Sequence, residues 1–153
     1  MRALVQRVTR ARVTVDGCVI GEIGAGLLIL VGATDTDDAA AADWLARKTA
    51  GLRLFADSAG RLNLDLGQVR GGALVVPQFT LYGDARHGRR PDFTRAAPAE
   101  QARGLFERFC GTLAAEGVPV ERGAFREHMQ VELVNDGPVT LCLESPAGAT
   151  GDG

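Results

Sequence analysis

Lysine is nearly absent from this chain: of its 17 basic residues only Lys48 is a lysine, and the other 16 are arginine. A Gly-x-x-x-x-Gly-Lys-Ser/Thr phosphate loop needs a lysine at a helix entrance. Lys48 instead follows Arg47 inside a helix-forming stretch, so that class of nucleotide enzyme is excluded. Serine is scarce too. Ser58 and Ser145 are the only serines, and neither lies in the Gly-x-Ser-x-Gly elbow that exposes a hydrolase nucleophile. The 2 histidines, His87 and His128, are far apart and belong to no HExxH run, which is too few imidazoles for a catalytic zinc. The 3 cysteines, Cys18, Cys110 and Cys142, are an odd number without CxxC spacing. They suggest neither a disulfide framework nor a structural zinc, so no metal and no cofactor are expected. Glycines at 21, 24 and 26 do not make GxGxxG, because Leu28 and Ile29 stand near where the last glycine belongs. Aromatics are only 5% of the chain, and no basic-aromatic stacking motif of the RRM type is present. The longest apolar run, Leu27–Val31, falls far short of the roughly 20 residues that span a bilayer. MRALVQRVTRARV lacks the apolar stretch of a signal peptide. The expected compartment is a reducing cytoplasm, with no membrane partner.

What is present is globular material. A length of 153 residues, 46% hydrophobic and 24% charged, fits one domain with a real core. A net charge of −2 argues against a general nucleic-acid coat, which needs surplus positive charge, but allows a local basic face. Arginine suits bidentate grips on phosphate or carboxylate, although a coding bias toward arginine gives the same count.

The N-terminal third reads as strands. Leu4–Val8 and Arg12–Val15 are valine-rich, and Asp16-Gly17 is a favoured tight-hairpin pair because both positions tolerate positive φ. Val19–Ile23 returns as the partner, Gly24-Ala25-Gly26 turns the chain again, and Leu27–Val31 follows as a buried strand, which together predict an antiparallel meander. Thr36-Asp37-Asp38 signals a helix start, with the helix over Ala39–Ala50 and a stop at Gly51. Leu52–Phe55 reads as a short strand, Asp57–Gly60 as a turn, Ala73–Val76 as a buried strand, and Gly83–Pro91 as irregular and basic. A second helix covers Pro98–Glu116, with Leu105, Phe106 and Phe109 as its apolar stripe and Gly117 as its stop. Met129–Val134 and Val139–Leu143 read as closing strands joined by a hairpin tip, Asn135-Asp136-Gly137-Pro138. Residues 1–144 form one domain, and the tail 145–153 is expected to be disordered. The order predicts an α+β fold with a mostly antiparallel sheet and two main helices.

Two stretches carry a chemical signal: Pro77-Gln78-Phe79-Thr80-Leu81, at the end of a buried strand, and Asn135-Asp136-Gly137-Pro138-Val139-Thr140. Read singly, the first is a strand interrupted at an edge by proline and the second a turn. Read in order with Gly88-Arg89-Arg90-Pro91-Asp92-Phe93 and Met129-Gln130-Val131, they make the chain resemble the D-aminoacyl-tRNA deacylase family from MRALVQRVTRARVTVDG to about Glu144.

The resemblance implies a homodimeric cytoplasmic enzyme, built as a layered α/β/β sandwich, that hydrolyses the ester between a D-amino acid and tRNA. Glycine mischarged on tRNA is a further implied substrate. Gln78, Phe79 and Thr80 are the implied catalytic segment, with Pro77 and Met129 beside the bound amino acid. The Gly137-Pro138 pair is implied to be cis and inserted into the partner subunit's pocket, where it rejects L-amino acids sterically. Glycine has no side chain to clash and passes.

Two departures stand out. Pro77 occupies a position commonly serine in the family and removes a backbone donor there. Arg126-Glu127-His128 replaces a small, acidic stretch before Met129. Thr80 is the hydroxyl in the motif, and two roles stay open for it: a nucleophile with an oxyanion hole, or a positioning group. In the second case the ribose 2′-hydroxyl of the terminal adenosine helps activate water, and backbone N–H groups near Gln78 and Phe79 hold the carbonyl. Arg86, Arg89, Arg90 and Arg95 cluster near one loop, and Arg2, Arg7, Arg10 and Arg12 near the N-terminus. Arg7, Arg86, Arg89 and Arg90 are the candidate phosphate contacts to tRNA. The competing readings are a non-enzymatic tRNA-binding dimer and a threonine hydrolase of small esters.

Overall fold

The structure, a computed structural model, describes residues 1–148. Eight strands and two α-helices run in the order β1 (Arg2–Val15), β2 (Cys18–Ile23), β3 (Gly26–Gly32), α1 (Ala39–Ala50), β4 (Phe55–Ala56), β5 (Leu62–Leu64), β6 (Gly72–Pro77), α2 (Ala99–Ala115), β7 (Val120–Arg122) and β8 (Gln130–Glu144). A 3-10 turn, Phe79–Tyr82, follows β6. The α+β class and both helices agree with the sequence reading. Asp38 caps α1 by accepting the Ala41 N–H at 2.9 Å, and Gly117, at φ 84°, follows α2 as its stop.

The sheet departs from the expected meander. Asp16 and Gly17, at φ 48° and 78°, do turn β1 into β2. Gly24-Ala25 then interrupts the chain without reversing it. β2 and β3 lie end to end along one edge of β1 in a single register, with Ala11 opposite Ile23 and Val8 opposite Gly26. β1 is long enough to serve both. β6 then pairs parallel to β3, and β7 parallel to β6, so an antiparallel half joins a parallel half. One six-stranded sheet curls into a nearly closed barrel, beside a separate β4–β5 ribbon. At the closure a Cβ on Gly21 of β2 would lie 2.9 Å from the Arg122 carbonyl oxygen of β7.

The second departure concerns the presumed hairpin tip. β8 is one continuous antiparallel partner of β1, and residues 136–139 loop out of it between the pairs Gln6–Thr140 and Val8–Asn135. The turn residues therefore build a wide bulge inside a strand. The chemistry that suits a reversal, such as a glycine tolerating positive φ, suits a bulge equally well.

Both faces of β3 and β6 are buried. Leu27, Ile29 and Val31 of β3 and Ala73 and Val75 of β6 face the helices, where they meet Leu45, Phe106, Phe109 and Leu113. Leu28, Leu74 and Val76 point into the barrel with Val8, Val13 and Ile23. This is why these strands read as unbroken apolar runs rather than alternations. In β1, Ala3 and Val5 belong to the helix-side core while Ala11 and Val13 belong to the barrel core. All four are odd-numbered, and the register slip between Val8 and Arg10 supplies the extra residue that flips the phase.

An ion pair clamps the helices together. Arg108 Nε and Nη2 donate to Asp43 at 2.8 and 2.7 Å, and the Thr112 hydroxyl donates at 2.7 Å. The Arg108 hydrogen bond holds the Asp43 carboxyl well below its ordinary 3.8, at about 2, against the opposing effect of burial. The folded value lies below the unfolded one, so this stabilisation is present above the ordinary carboxylate range and is lost as pH falls toward about 2. Accordingly, Asp43→Asn should lower the melting temperature near neutral pH, and the gap to the parent should close on acidification. A gap that stays constant across acid thermal melts would contradict this.

Candidate active site

The parallel pairing of β3 and β6 brings their C-terminal ends to one rim, the usual place for a site in parallel sheets. The Gln78 N–H continues the ladder by donating to the Val31 carbonyl at 2.8 Å. Pro77 is tolerated because the β6–β7 pairing ends at Val75–Arg122, so its missing N–H breaks no ladder bond on that side. The approach is close: a Cβ on Gly32 would lie 2.7 Å from the Gln78 carbonyl oxygen.

Beyond this rim opens a cavity of about 290 Å³, lined by Pro77, Gln78, Phe79 and Met129 together with Val31, Gly32, Val76, Ala102, Phe106, Phe125, Arg126, Glu127 and His128. Three elements make its walls: the strand ends, the first half of α2, and the segment leading into β8. Met129 is folded back, its sulfur accepting the Ala124 N–H at 3.3 Å. Phe125 is held between Phe106, at 6.5 Å between centroids, and the Arg103 guanidinium, at 4.7 Å. Phe79 stands at the mouth, 57% exposed, with its ring edge-to-face on Phe93 at 5.1 Å.

The structure thus gathers four of the residues singled out in the sequence. Thr80 lies just outside, in the exposed 3-10 turn, where its hydroxyl oxygen is met by the Gln78 side-chain amide. An amide is no base, and among the described residues no His, Asp or Glu side chain bonds this hydroxyl. The Gln78 N–H, expected among the carbonyl-holding groups, is already used by Val31. Phe79 is the first residue of a turn whose leading N–H groups have no partner within it.

Gly137 and Pro138 do not line this cavity. They sit exposed at the crest of the β8 bulge, joined by a cis peptide, with Gly137 at φ 143°. Asn135 braces the bulge from inside: its Oδ1 accepts from Val139 N at 2.8 Å, and its Nδ2 donates to the Val139 carbonyl at 3.2 Å and to Thr140 Oγ1 at 3.0 Å.

Arg7 has a different post from the phosphate contact expected of it. Its side chain is 14% exposed. Nε donates to the Asp136 carbonyl at 2.9 Å and Nη1 to the Leu54 carbonyl, so it ties the bulge to the chain after α1. Arg86 is exposed and clamps Asp84, with Nε 2.9 and 3.0 Å from the two carboxylate oxygens, and holds that carboxyl down at about 2. A bridge between Asp84 and Asp92 closes this loop. Arg89 and Arg90 stand exposed near its tip and, among the described residues, have no ion-pair partner.

Phe106, Phe125 and His128 line the cavity and Phe93 packs on Phe79 at its mouth, places the sequence reading did not assign to them. Phe106 looked like core, which it also is. Phe93 stood in a motif without a place, and Phe125 reaches the site through a loop whose course has no local signal. Among the described residues no three His, Cys, Asp or Glu side chains gather to hold a metal, and no helix is long and apolar enough to cross a membrane.

A family model described as D-Tyr-tRNA(Tyr) deacylase matches residues 4–144. The D-aminoacyl-tRNA deacylase of Symbiobacterium thermophilum is 57% identical over 145 residues, covering 95% of this chain and 96% of the relative. That of Thermomicrobium roseum is 58% identical, over 95% and 94%. Among solved structures, a c-Myc DNA unwinding element binding protein superposes with a TM-score of 0.89 at 40% identity, covering 96% of this chain and 100% of its own. A probable eukaryotic D-amino acid tRNA deacylase shares the fold, with a TM-score of 0.82 at 17% identity over 94% and 98%.

Proposed function

Because this chain belongs to the D-Tyr-tRNA(Tyr) deacylase family, a family of hydrolases, we propose that it cleaves the ester joining a D-amino acid to the terminal adenosine of tRNA, and glycine from mischarged tRNA likewise. The amino acid enters the cavity between Pro77 and Met129. A volume of about 290 Å³ sits at the small end of ligand pockets and suits one aminoacyl group, with the adenosine resting at the mouth near Phe79.

One observation carries the mechanism: the only hydroxyl in the motif, on Thr80, faces the Gln78 amide, so no nucleophile–base pair is assembled. Hydrolysis is then substrate-assisted. The ribose 2′-hydroxyl helps to activate water, the Phe79 N–H holds the ester carbonyl as negative charge builds on it, and Thr80 positions Gln78. The partner in the reaction is aminoacyl-tRNA in the cytoplasm, with Arg86, Arg89 and Arg90 gripping its phosphates.

Chirality is sorted by a second copy of the chain. The bulge carrying Gly137 and Pro138 does not line its own cavity, and in a homodimer it enters the partner's. There it occupies the space an L side chain would need.

The test is to incubate the purified protein with D-Tyr-tRNA and L-Tyr-tRNA. Release of tyrosine from the D form alone is the expected result. Binding without release would leave a tRNA-binding dimer, and equal hydrolysis of simple esters a small-ester hydrolase. In the same assay Thr80→Ala should retain turnover to within about tenfold, the scale of one lost hydrogen bond. A fall of several orders of magnitude, as removal of a nucleophile gives, would overturn the substrate-assisted route.

A further inference from the structure

A second cavity, of about 270 Å³, opens where α1 ends, lined by Trp44, Arg47, Lys48, Gly51, Leu52 and Arg53. Its chemistry differs from that of the first. Three cationic side chains surround the only tryptophan of the chain, and no acidic residue contributes to the wall. Among the described residues neither Lys48 nor Arg53 takes part in an ion pair, and both are exposed. The α1 dipole accounts for cations in its last turn, Arg47 and Lys48. It does not account for Arg53, which lies past the cap; the Trp44 indole packs one side on the helix-side core and leaves the rest open beside them.

The location adds a second argument. Arg53 is followed by Leu54, whose carbonyl accepts from Arg7, and Arg7 also holds the Asp136 carbonyl of the bulge. The cationic cavity and the bulge are therefore joined through one side chain. We propose that this cavity is an RNA subsite, in which Lys48 and Arg53 take backbone phosphates and Trp44 takes the face of a base. Cations that track a backbone, combined with an aromatic stacking face, are how single-stranded RNA is held without sequence readout. An acidic peptide would satisfy the cations and leave the indole unused. Resting on the reading above, the subsite of one protomer lies next to the bulge that enters its partner's pocket. It would thus hold in trans the RNA whose terminal aminoacyl group the partner is processing.

The lone tryptophan makes this directly measurable, because all indole fluorescence comes from the cavity. Uncharged tRNA should quench it, and Lys48→Ala/Arg53→Ala should weaken that binding about tenfold. The same double variant should flatten the dependence of log affinity on log salt by roughly 1.5, the share of two phosphate contacts. In deacylation, KM for D-Tyr-tRNA should rise by a similar factor while kcat changes less than twofold. Both side chains are exposed, and an unchanged circular dichroism spectrum verifies folding. Absence of quenching, or quenching unaltered in the double variant, overturns the proposal. So does equal quenching by inorganic phosphate or polyglutamate at matched ionic strength, which would make it a general anion site. Quenching by tRNA without release of D-tyrosine would sustain the subsite and remove the catalytic reading, so the two fail separately.

Discussion

Gly137→Ala should collapse the preference for D- over L-aminoacyl-tRNA, by on the order of 100-fold, the scale on which a pocket discriminates by fit alone. Gly137 has a φ of 143°, and a Cβ there would lie 2.8 Å from both the Val139 nitrogen and its Cγ2, and 3.3 Å from Arg7 Nη2. The first two contacts are within the bulge itself. Arg7 cannot retreat freely, because Nε and Nη1 are bonded to Asp136 and Leu54. The crest must therefore change shape, and the proposed gate works only in the shape it has. Turnover of the D substrate should suffer much less, since Pro77, Gln78 and Phe79 are untouched. The quantity to measure is the ratio of kcat/KM values for D-Tyr-tRNA and L-Tyr-tRNA. A ratio within twofold of the parent would show that the bulge sorts nothing.

Gly26→Ala should be the most damaging single substitution for the fold. At the start of the parallel β3–β6 pairing, Gly26 lies opposite Gly72. A Cβ on Gly26 would sit 1.9 Å from the Gly72 carbonyl oxygen, with Gly72 N and C at 2.8 and 2.9 Å. All three atoms are backbone, so no rotamer change relieves the clash. The strands must separate at the seam of both cores. A loss above roughly 4 kcal/mol is expected, out of a total of about 5–15 kcal/mol. That corresponds to a fall in melting temperature of about 10 °C or more, or to insoluble protein. Gly24→Ala is the matched control: nothing lies within 4 Å of its Cβ position, and the change should stay within about 0.5 kcal/mol. Comparable urea midpoints for the two variants would refute the close-approach account.

The parts of the fold legible in the sequence are those fixed by local physics. Asp38 capping Ala41, the stops at Gly51 and Gly117, and the Asp16-Gly17 reversal each depend on a few neighbouring residues. Strand partnership is a different kind of fact. Nothing near Gly24 states whether the chain turns back or continues along β1, because that depends on how much edge β1 offers. The valines of Leu4–Val8 and Arg12–Val15 read as two strands because the slip at Val8–Arg10 interrupts their alternation, yet they are one strand serving two cores. Likewise Asn135–Pro138 has the composition of a reversal, and only the pairing of β8 with β1 on both sides shows it to be an excursion. At the site, Pro77, Gln78, Phe79 and Met129 were found through motif resemblance, and they do share one cavity. The depth of Arg7 was not legible, because charge alone says nothing about burial. The arginine of β1 opposite the four-residue excursion is drawn inward, bonding the Asp136 carbonyl of the bulge and the Leu54 carbonyl after α1.

The β8 excursion springs from a ladder that continues on both sides of it, and Asn135 and Arg7 close its base. Loops of comparable size usually hang from their ends and settle only on contact, at an entropic cost to association. Here that freedom has been surrendered at folding, so in the proposed dimer the crest would meet its neighbour already shaped, like a tooth cut into a bar rather than a flap hinged to it.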